Sequence, residues 1–394
     1  MKSIQSKDID LERKKILLRL DLNVPIENGQ ITDTNRIEKI IPTLKYLLER
    51  KAKIIILSHV GRPKGKVNKD LSLKPICENL ELKLKQKIKL IDKSLFDLKF
   101  EEISENFKSY EIIILENIRF YKEEEENDEN FAKLISSFGN IYVNDAFSCS
   151  HRKHASVFSI TKFLPSYSGL QMETEVNSLK KITENIEKPI TCIIGGSKIS
   201  TKINIIKNLI KKFDNIVIVG GMANNILKYH SHNIGKSINE KNCNDTISEI
   251  FSLSKTQNCK ITYPIDVSVG KNMNDNSKIK NIDEISDDEI VLDIGPKTIE
   301  LIENIIENSK TILWNGPAGY FENPNFAKGS KKIANKIAER NKTGKIFSVA
   351  GGGDTVAAIN TFKLTKDFNF ISTAGGAFLE FLEGKELPGI KALN

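Results

Sequence analysis

Cysteine is scarce in this sequence and forms no pattern. The 394-residue chain holds five cysteines, an odd number at wide spacings without a CxxC pair: Cys77, Cys149, Cys192, Cys243 and Cys259. Disulfide frameworks and structural zinc sites are recognised by even numbers of cysteines or by closely spaced pairs. We therefore expect neither, and the cysteines suit a reducing compartment.

Long hydrophobic runs are also lacking. Residues 1–10 show no apolar stretch typical of a signal peptide, and no later segment approaches the roughly 20 apolar residues of a membrane helix. We expect a cytoplasmic protein without a membrane partner. With 39% hydrophobic and 28% charged residues, the chain has a globular composition and the length of two domains.

Blocks of basic residues are missing, although the formal net charge is +8. The lysines are spread along the chain without interleaved aromatic residues, so nucleic acid is not the expected partner. A nucleic-acid binder remains an alternative, which salt-dependent retention on DNA would reveal. The main charge run, residues 123–129, is acidic and is interpreted as a solvated loop or helix start.

Short apolar runs alternate with longer lysine-rich segments. Such runs are typical of strands buried on both faces of a parallel sheet with crossover helices, and they predict two doubly wound α/β domains. The predicted strands are 16–20, 53–57, 111–115, 141–143, 190–194, 216–219, 289–294, 311–314, 346–350 and 370–372.

An amphipathic helix is predicted at residues 171–188, from apolar residues at three- and four-residue steps followed by Pro189. It would join a domain of residues 1–170 to a domain of residues 189–384. A helix in this position would keep the two domains apart yet coupled and would leave a cleft between them.

Positive side chains follow the predicted strands of the first domain. Arg62, Arg119 and Arg152 come after three successive strands, with His59 and His151 nearby. Ligands bind beyond the carboxyl ends of strands in open α/β sheets, and guanidinium groups match phosphate oxygens. The arrangement predicts a phosphate-binding pocket.

Other polar residues at these positions have a simpler explanation. Asp21 and Asn23 stand where substrate-orienting groups belong, but polar residues before a proline are also common turn formers. An arginine at a helix start, such as Arg36, is usually solvated. His151 and His154 have the spacing of a metal pair, but the basic residues between them would repel a cation.

Glycine turns follow the predicted strands of the second domain, at residues 195–196, 220–221, 316–319, 351–353 and 375–376. Several such turns suit a nucleotide, whose base, ribose and phosphates each need close approach of the backbone. Lys198 and Lys202 are predicted to stand one helical turn apart at a helix start, so that both face one anion.

One of these turns allows two interpretations. Gly351, Gly352 and Gly353 precede Asp354 and Thr355. A helix start after glycines favours phosphate, beside which Asp354 would hold a divalent ion. Alternatively, this is a tight strand-to-helix turn in which Asp354 and Thr355 cap the helix.

Motifs of other enzyme classes are absent. There is no GxGxxG with a downstream acidic residue, no nucleophile elbow and no protein-kinase catalytic loop. Gly235-Lys236-Ser237 looks like the end of a P-loop, but neither a strand nor the required glycine precedes it. These absences argue against a dinucleotide-dependent enzyme.

Together the motifs resemble the phosphoglycerate kinase family over nearly the full length of the chain. The segments that carry the resemblance are residues 19–25 (RLDLNVP, with Leu22 where phenylalanine is common), 58–63 (SHVGRP), 144–147 (NDAF), 151–152 (HR), 195–198 (GGSK), 314–317 (WNGP) and 351–355 (GGGDT). The resemblance implies a phosphotransferase that moves a phosphoryl group reversibly between 1,3-bisphosphoglycerate and ADP, giving 3-phosphoglycerate and ATP.

The resemblance also implies roles for single residues. The residues expected to hold 3-phosphoglycerate are Asp21, Asn23, His59, Arg62, Arg119 and Arg152, with Arg36 reaching towards the transferred group. Those expected to hold Mg-ADP or Mg-ATP are Lys198, Lys202, Asn315, Glu322, Gly351, Gly352, Gly353, Asp354 and Thr355, with magnesium on Asp354. The implied catalytic groups are Arg36, Lys202, Gly375 and Gly376.

Two departures from the family pattern are expected to have small effects. Ala374 and Val219 stand where glycines are common, which would alter nucleotide affinity only slightly. Residues 385–394 are expected to pack back on the first domain, as the family's tail does, and the chain is expected to be a monomer. The alternative from another class is a two-domain anion- or nucleotide-binding protein without catalysis, which would not need Lys202 and Asp354 beside a nucleotide turn.

Overall fold

The computed structural model describes residues 1–394, which divide into two compact units. Unit 1 consists of Met1–Val176 together with Glu386–Asn394, and unit 2 consists of Asn177–Lys385. Each unit has its own six-stranded sheet and its own hydrophobic cores. None of the helices is both long and apolar enough to cross a membrane.

Unit 1 is built around a parallel sheet. Its strands are β1 (Lys15–Leu20), β2 (Ile26–Glu27), β3 (Gln30–Ile31), β4 (Lys53–Leu57), β5 (Ile88–Ile91), β6 (Ile112–Leu115), β7 (Ile141–Asp145) and β8 (Ser166–Ser168). The sheet order is β5-β6-β4-β1-β7-β8 with every pair parallel, and β2 and β3 form a separate hairpin. The strand order reverses at β1, so the carboxyl ends of β1 and β7 border the crevice where ligands bind in such sheets.

Helices cover both faces of this sheet. They are α1 (Asn35–Glu49), α2 (Lys74–Leu84), α3 (Phe100–Asn106), α4 (Lys122–Glu125) and α5 (Glu129–Ser136). A further helix, α6 (Leu170–Thr183), begins in unit 1 and ends in unit 2, because the boundary between the units lies after Val176. Ile54 of β4 belongs to a core cluster with Ile37 of α1, whereas the next residue, Ile55, belongs to a second cluster with Phe131 of α5. Successive strand residues are thus buried on opposite faces, which explains the continuous Ile and Leu runs.

Unit 2 contains a parallel sheet and a smaller antiparallel one. Its strands are β9 (Ile190–Ile194), β10 (Asn215–Ile218), β11 (Lys260–Thr262), β12 (Asp266–Gly270), β13 (Lys278–Asn281), β14 (Ile290–Ile294), β15 (Thr311–Asn315), β16 (Phe347–Ala350) and β17 (Phe370–Ile371). Its helices are α7 (Ile203–Ile210), α8 (Gly221–Tyr229), α9 (Asn244–Thr256), α10 (Pro296–Glu307), α11 (Lys328–Lys342), α12 (Gly353–Thr361) and α13 (Gly375–Leu382). The sheet orders are β11-β10-β9-β15-β16-β17 and β13-β12-β14.

Two predictions about these elements are wrong. The run at 289–294 forms β14 of the antiparallel sheet instead of a parallel strand, because an apolar run does not specify the direction of its partner. The predicted helix at 171–188 ends at Thr183. There the Lys180 carbonyl accepts hydrogen bonds from the N–H groups of both Glu184 and Asn185, which closes the last turn before Pro189.

The residues after unit 2 return to unit 1. They include α14 (Pro388–Lys391), and Leu393 is buried in the same core cluster as Leu17 of β1. The Lys2 N–H donates to the Leu393 carbonyl at 3.1 Å, and the Gly389 N–H donates to the Ser150 carbonyl at 2.8 Å. The segment Glu386–Asn394 is therefore an integral part of unit 1.

Candidate functional site

The first group of site residues lies at the carboxyl end of β1. Arg36 Nη1 forms an ion pair with Asp21 Oδ2 at 2.7 Å and donates to the Asn23 carbonyl at 3.0 Å. Asn23 Oδ1 accepts from the Gly61 N–H at 2.9 Å, which joins this end to the loop after β4. Arg36 is therefore held against the strand end and is not simply a solvated helix residue.

His59 follows β4 and is only 3% exposed. Its Nδ1 lies 3.2 Å from Nη2 of Arg19, a fully buried residue of β1. Burial, and then the positive charges of Arg19, Arg119 and Arg36, hold the pKa of His59 well below its usual value. The imidazole is therefore neutral and has several arginines around it.

Arg119 is buried among like charges. Its Nη1 donates to the Gly61 carbonyl at 3.1 Å, and its Nε lies 3.7 Å from Glu125 Oε1. Burial lowers the pKa of Arg119, and the charges of Arg19 and Arg152 lower it further. Guanidinium groups that repel one another at a buried position are electrostatically costly unless an anion joins them, so this part of the molecule is suited to phosphate.

Two predicted site residues are less constrained. Arg152 is exposed, and its Nε contacts His151 Nε2 at 3.1 Å. Arg62 is exposed at the surface after β4 and takes part in none of these contacts. The structure thus brings Asp21, Asn23, Arg36, His59 and Arg119 into one bonded or electrostatically coupled group, with Arg152 near its edge and Arg62 outside it.

Arg19 was not predicted as part of this group. The sequence contains a signal for it, since a charged residue inside an otherwise apolar strand has to be buried with a partner. Glu124 was predicted to be solvated with the rest of the acidic run, and that prediction is wrong because its side chain is fully buried.

His154 lies behind the same group, 5% exposed, with its Nδ1 3.8 Å from Glu124 Oε1. Burial, aided by the charges of Arg119 and Arg19, lowers the pKa of His154 from 6.5 to about 3. Below pH 6.5 the imidazole of His154 binds a proton in the unfolded chain, whereas in the folded chain it binds one only near pH 3. The stability contributed by the neutral ring is therefore present above pH 6.5 and is lost as the pH falls.

We expect the free energy of unfolding to drop by roughly 1–2 kcal/mol through His154 between pH 6.5 and 5. His154→Gln removes this titration, so its unfolding free energy should fall less steeply with acid. Urea unfolding at a series of pH values would measure the slope. The exposed His230→Gln serves as the control, and equal slopes for wild type and His154→Gln would contradict the assignment.

In unit 2 the second group forms where the strand order reverses between β9 and β15. Lys202 Nζ donates to the Gly195 carbonyl at 2.5 Å and to Asn315 Oδ1 at 2.7 Å. Asn315 Nδ2 in turn donates to the Gly351 carbonyl at 2.6 Å. These bonds tie together the loops after β9, β15 and β16, and burial lowers the pKa of Lys202 to about 8.

The predicted placement of Lys198 and Lys202 on one helical turn is wrong. Helix α7 begins at Ile203, so Lys202 immediately precedes it and Lys198 is exposed in the loop. Ile199 between them is completely buried, and the Ser200 N–H and hydroxyl both donate to the Glu240 carboxylate. These contacts hold residues 198–202 in a turn, so that the two lysines do not lie on one helix.

The glycine turns serve two different purposes. A Cβ on Gly195 or Gly316 would lie 2.4 or 2.3 Å from a neighbouring backbone oxygen, and one on Gly351 would lie 2.5 Å from an aromatic carbon. These glycines let the loops pack on each other, contrary to the interpretation that each faces a ligand. Gly353 and Gly375, which begin α12 and α13, have no atom within 4 Å of a Cβ position and face open space.

The two kinds of glycine predict opposite outcomes. Gly316→Ala, at φ +116° and against backbone, should destabilise unit 2 by roughly 2–4 kcal/mol. Gly353→Ala should leave stability equal or slightly higher, because alanine favours a helix by about 1 kcal/mol, yet should weaken nucleotide binding if phosphates approach there. Urea unfolding would measure the stability of both variants, and calorimetric titration would measure the binding of ADP to Gly353→Ala. A Gly316→Ala protein as stable as wild type would refute the packing role.

A largely apolar cavity of about 240 Å³ opens beside these loops. Ala223, Leu227 and Val267 are among its lining residues, and the exposed carboxylates of Glu322 and Asp354 also border it. An apolar cavity with few polar groups is typical of a site for a flat ring such as a nucleotide base.

The two departures from the family pattern, Ala374 and Val219, are buried. Ala374 has φ −102°, a conformation that alanine adopts without strain.

The fold and the two groups define a class of protein: a two-unit α/β enzyme in which one unit is suited to phosphate and the other to a nucleotide. A protein-family model described as phosphoglycerate kinase matches residues 6–385. The chain belongs to the phosphoglycerate kinase family and is therefore an enzyme, a kinase. This confirms the resemblance and does not favour the alternative of a non-catalytic binding protein.

Curated relatives and solved structures agree with this assignment. Phosphoglycerate kinase of Wolbachia pipientis wMel is 46% identical over 387 residues, which cover 98% of this chain and 97% of the relative. That of Dictyoglomus turgidum is 46% identical over 390 residues, with the same coverage, 98% and 97%. The structure of phosphoglycerate kinase from Coxiella burnetii has a TM-score of 0.90 at 38% identity and covers 98% of this chain and 97% of that one. The structure of the enzyme from Pyrococcus horikoshii OT3 has a TM-score of 0.81 at 27% identity, with coverage of 100% and 98%. The predicted fold of two parallel-sheet domains is confirmed.

Proposed function

We propose that this chain transfers a phosphoryl group reversibly between 1,3-bisphosphoglycerate and ADP, giving 3-phosphoglycerate and ATP. The observation that carries the proposal is the buried arginine group of unit 1, in a chain of this family. Arg119 is buried, and the positive charges of Arg19 and Arg152 lower its pKa, so an anionic substrate would relieve a repulsion that is present in the protein alone.

In this proposal unit 1 binds 3-phosphoglycerate. The residues assigned to it are Asp21, Asn23, His59, Arg62, Arg119 and Arg152. The ion pair with Asp21 and the bond to the Asn23 carbonyl hold the Arg36 guanidinium at the strand end, in a position to neutralise charge on the transferred phosphoryl group.

Unit 2 is proposed to bind the nucleotide, with the base in the apolar cavity. The assigned residues are Lys198, Lys202, Asn315, Glu322, Gly351, Gly352, Gly353, Asp354 and Thr355. Asn315 and Thr355 are almost completely buried and bond to loop backbone, so they act by fixing the loops. Lys202 supplies a positive charge beside the phosphates.

Magnesium fits this site through Asp354. The carboxylate is exposed, borders the cavity and belongs to the first turn of α12, and hard carboxylate oxygens are the ligands that magnesium prefers. Bound with the nucleotide, magnesium would add positive charge next to the phosphate oxygens.

The proposed reaction needs no general base. The nucleophile in the ATP-consuming direction is the carboxylate of 3-phosphoglycerate, which is already ionised at neutral pH. What remains is to position the groups in line and to neutralise the charge on the phosphoryl oxygens, the task proposed for Arg36, Lys202 and the helix start at Gly375 and Gly376. Because these groups belong to different units, we propose that the units close around the substrates and exclude water.

All of these residues belong to one chain, so we propose that the monomer is active. We also propose that it works in the cytoplasm, where ADP and ATP are available to a glycolytic kinase.

A coupled assay for ATP consumption that depends on 3-phosphoglycerate tests the proposal. Turnover should require both substrates and magnesium. Binding of 3-phosphoglycerate and ADP without turnover would instead identify a non-catalytic binding protein, and the absence of both binding and turnover would refute the assigned substrates.

A further inference from the structure

We infer that Glu124 and Ser156 are positioning residues for the substrate group of unit 1. Acting through Arg19, they hold His59 as the neutral tautomer that carries its proton on Nε2. The inference deepens the proposed function, on which its kinetic part rests.

The contacts begin at Glu124 of α4, whose side chain is completely buried. Its Oε1 accepts the Ser156 hydroxyl proton at 2.7 Å, and its Oε2 accepts the Ser156 backbone N–H at 2.8 Å. The carboxylate therefore fixes both the position of Ser156 and the direction of its hydroxyl. Because the Ser156 hydroxyl donates its hydrogen bond to Glu124, its oxygen can only accept a hydrogen bond from another neighbour.

That neighbour is Arg19, whose Nε donates to Ser156 Oγ at 2.9 Å. Arg19 Nη1 also donates to the Leu20 carbonyl. With two sides of the guanidinium plane held in this way, the third side, Nη2, is directed to His59 Nδ1 at 3.2 Å. Because Arg19 is fully buried, it also needs a compensating negative charge, which Glu124 supplies through the intervening hydroxyl.

The tautomer of His59 follows from the chemistry of arginine. A guanidinium group has donors and no acceptor, so Nδ1 of His59 has to accept and cannot carry a proton. The ring is neutral, and its single proton is therefore on Nε2. An N–H donor is what an anionic substrate oxygen requires, whereas a ring with its lone pair on Nε2 would repel that oxygen.

Glu124 is thus the origin of a relay through a hydroxyl and a guanidinium to a substrate-binding imidazole. Without its charge, Arg19 would lose the stronger of its two carboxylate partners, the other being Asp21, together with the fixed hydroxyl. His59 would then be free to take the other tautomer. The effect should fall on the substrate of unit 1 and not on the nucleotide.

Nitrogen-15 NMR of the imidazole rings tests the tautomer directly and independently of activity. The chain has five histidines, and His59→Gln identifies the signals of His59. We expect the wild-type ring to show a protonated Nε2 and an unprotonated Nδ1, and Glu124→Gln to show a mixture of tautomers. A wild-type ring protonated on Nδ1, or an unchanged tautomer in Glu124→Gln, would overturn the inference.

Kinetics supply the second measurement. Glu124→Gln should raise the KM for 3-phosphoglycerate roughly tenfold, with the KM for ATP unchanged. Glu126→Gln removes the same charge from an exposed position of the same acidic run and should behave as wild type. Equal changes in both KM values would indicate a merely structural role and overturn the inference.

If Glu124→Gln does not fold, Ser156→Ala tests the same relay while leaving both charged groups in place. Its control is Ser159→Ala, which removes another buried hydroxyl of the segment that bonds to Asn127 and not to Arg19. Mixed tautomers in Ser156→Ala alone would support the relay, and identical spectra for the two variants would refute it. An inactive wild type with the expected tautomer would refute the proposed function but not the relay.

Discussion

Replacing Arg36 with alanine is expected to lower kcat by roughly 10³-fold while the Kd for ADP stays unchanged. Arg36 belongs to unit 1 and is held by Asp21 and the Asn23 carbonyl, so its removal leaves the nucleotide group of unit 2 intact. What is lost is a positive charge proposed to act on the phosphoryl oxygens in the transition state, where such a charge has its largest effect. Steady-state kinetics and calorimetric titration with ADP would measure the two quantities.

Arg50→Ala is the matched control, because Arg50 directly follows the same helix and stacks on Tyr46 away from the site. Arg36→Lys should lie between wild type and Arg36→Ala, since lysine keeps the charge but not the two-point geometry. Turnover close to wild type in Arg36→Ala would refute the proposed role.

Replacing Lys202 with methionine is expected to lower kcat/KM for ATP by roughly 10²–10³-fold. The Lys202 ammonium group donates to the carbonyls of Gly195 and Asn315 and to Asn315 Oδ1, and no other lysine of unit 2 makes these contacts. The control is Lys211→Met, which should retain full activity. Lys211 is exposed and directly follows α7, the helix that Lys202 directly precedes.

Titration of Lys202 offers a second test without removing the side chain. Its pKa of about 8 means that the group is charged below pH 8 and becomes neutral above it. The affinity for ADP should therefore fall as the pH rises through 8, by up to tenfold per pH unit, whereas Lys202→Arg should show no such fall up to pH 10. An affinity of the wild type that is constant between pH 7 and 9.5 would contradict the assignment.

The sequence predicts the central strands well because their burial on both faces leaves a continuous apolar signal. The bounds of β4 and β9 are those predicted, and β1, β15 and β16 differ by one residue. The edge strands β5, β8 and β11 were not predicted, since lysine or serine interrupts their few apolar residues and leaves no continuous apolar run. The direction of β14 depends on a distant partner and leaves no local trace.

The sequence allows a candidate site to be predicted for residues that come directly after a strand of the parallel sheet. The sequence predicts that Asp21, His59 and Arg119 lie together, because the carboxyl ends of parallel strands meet at one edge of the sheet. The burial of Glu124 could not be predicted, since the glutamates of an acidic run cannot be told apart until a partner such as Ser156 is known. The packing of Gly195 against Gly316 was not predictable either, because the two glycines lie far apart in the chain.

The return of Glu386–Asn394 to unit 1 affects the order in which a ribosome allows the protein to fold. The sheet of unit 1 is synthesised first, but Leu393, which is 1% exposed in its core and whose carbonyl bonds to the Lys2 N–H, is made only after all of unit 2. During translation the nascent first unit therefore waits with part of its core open to solvent. Unit 1 can complete its core only after Leu393 has been made, which is later than the synthesis of every residue of unit 2.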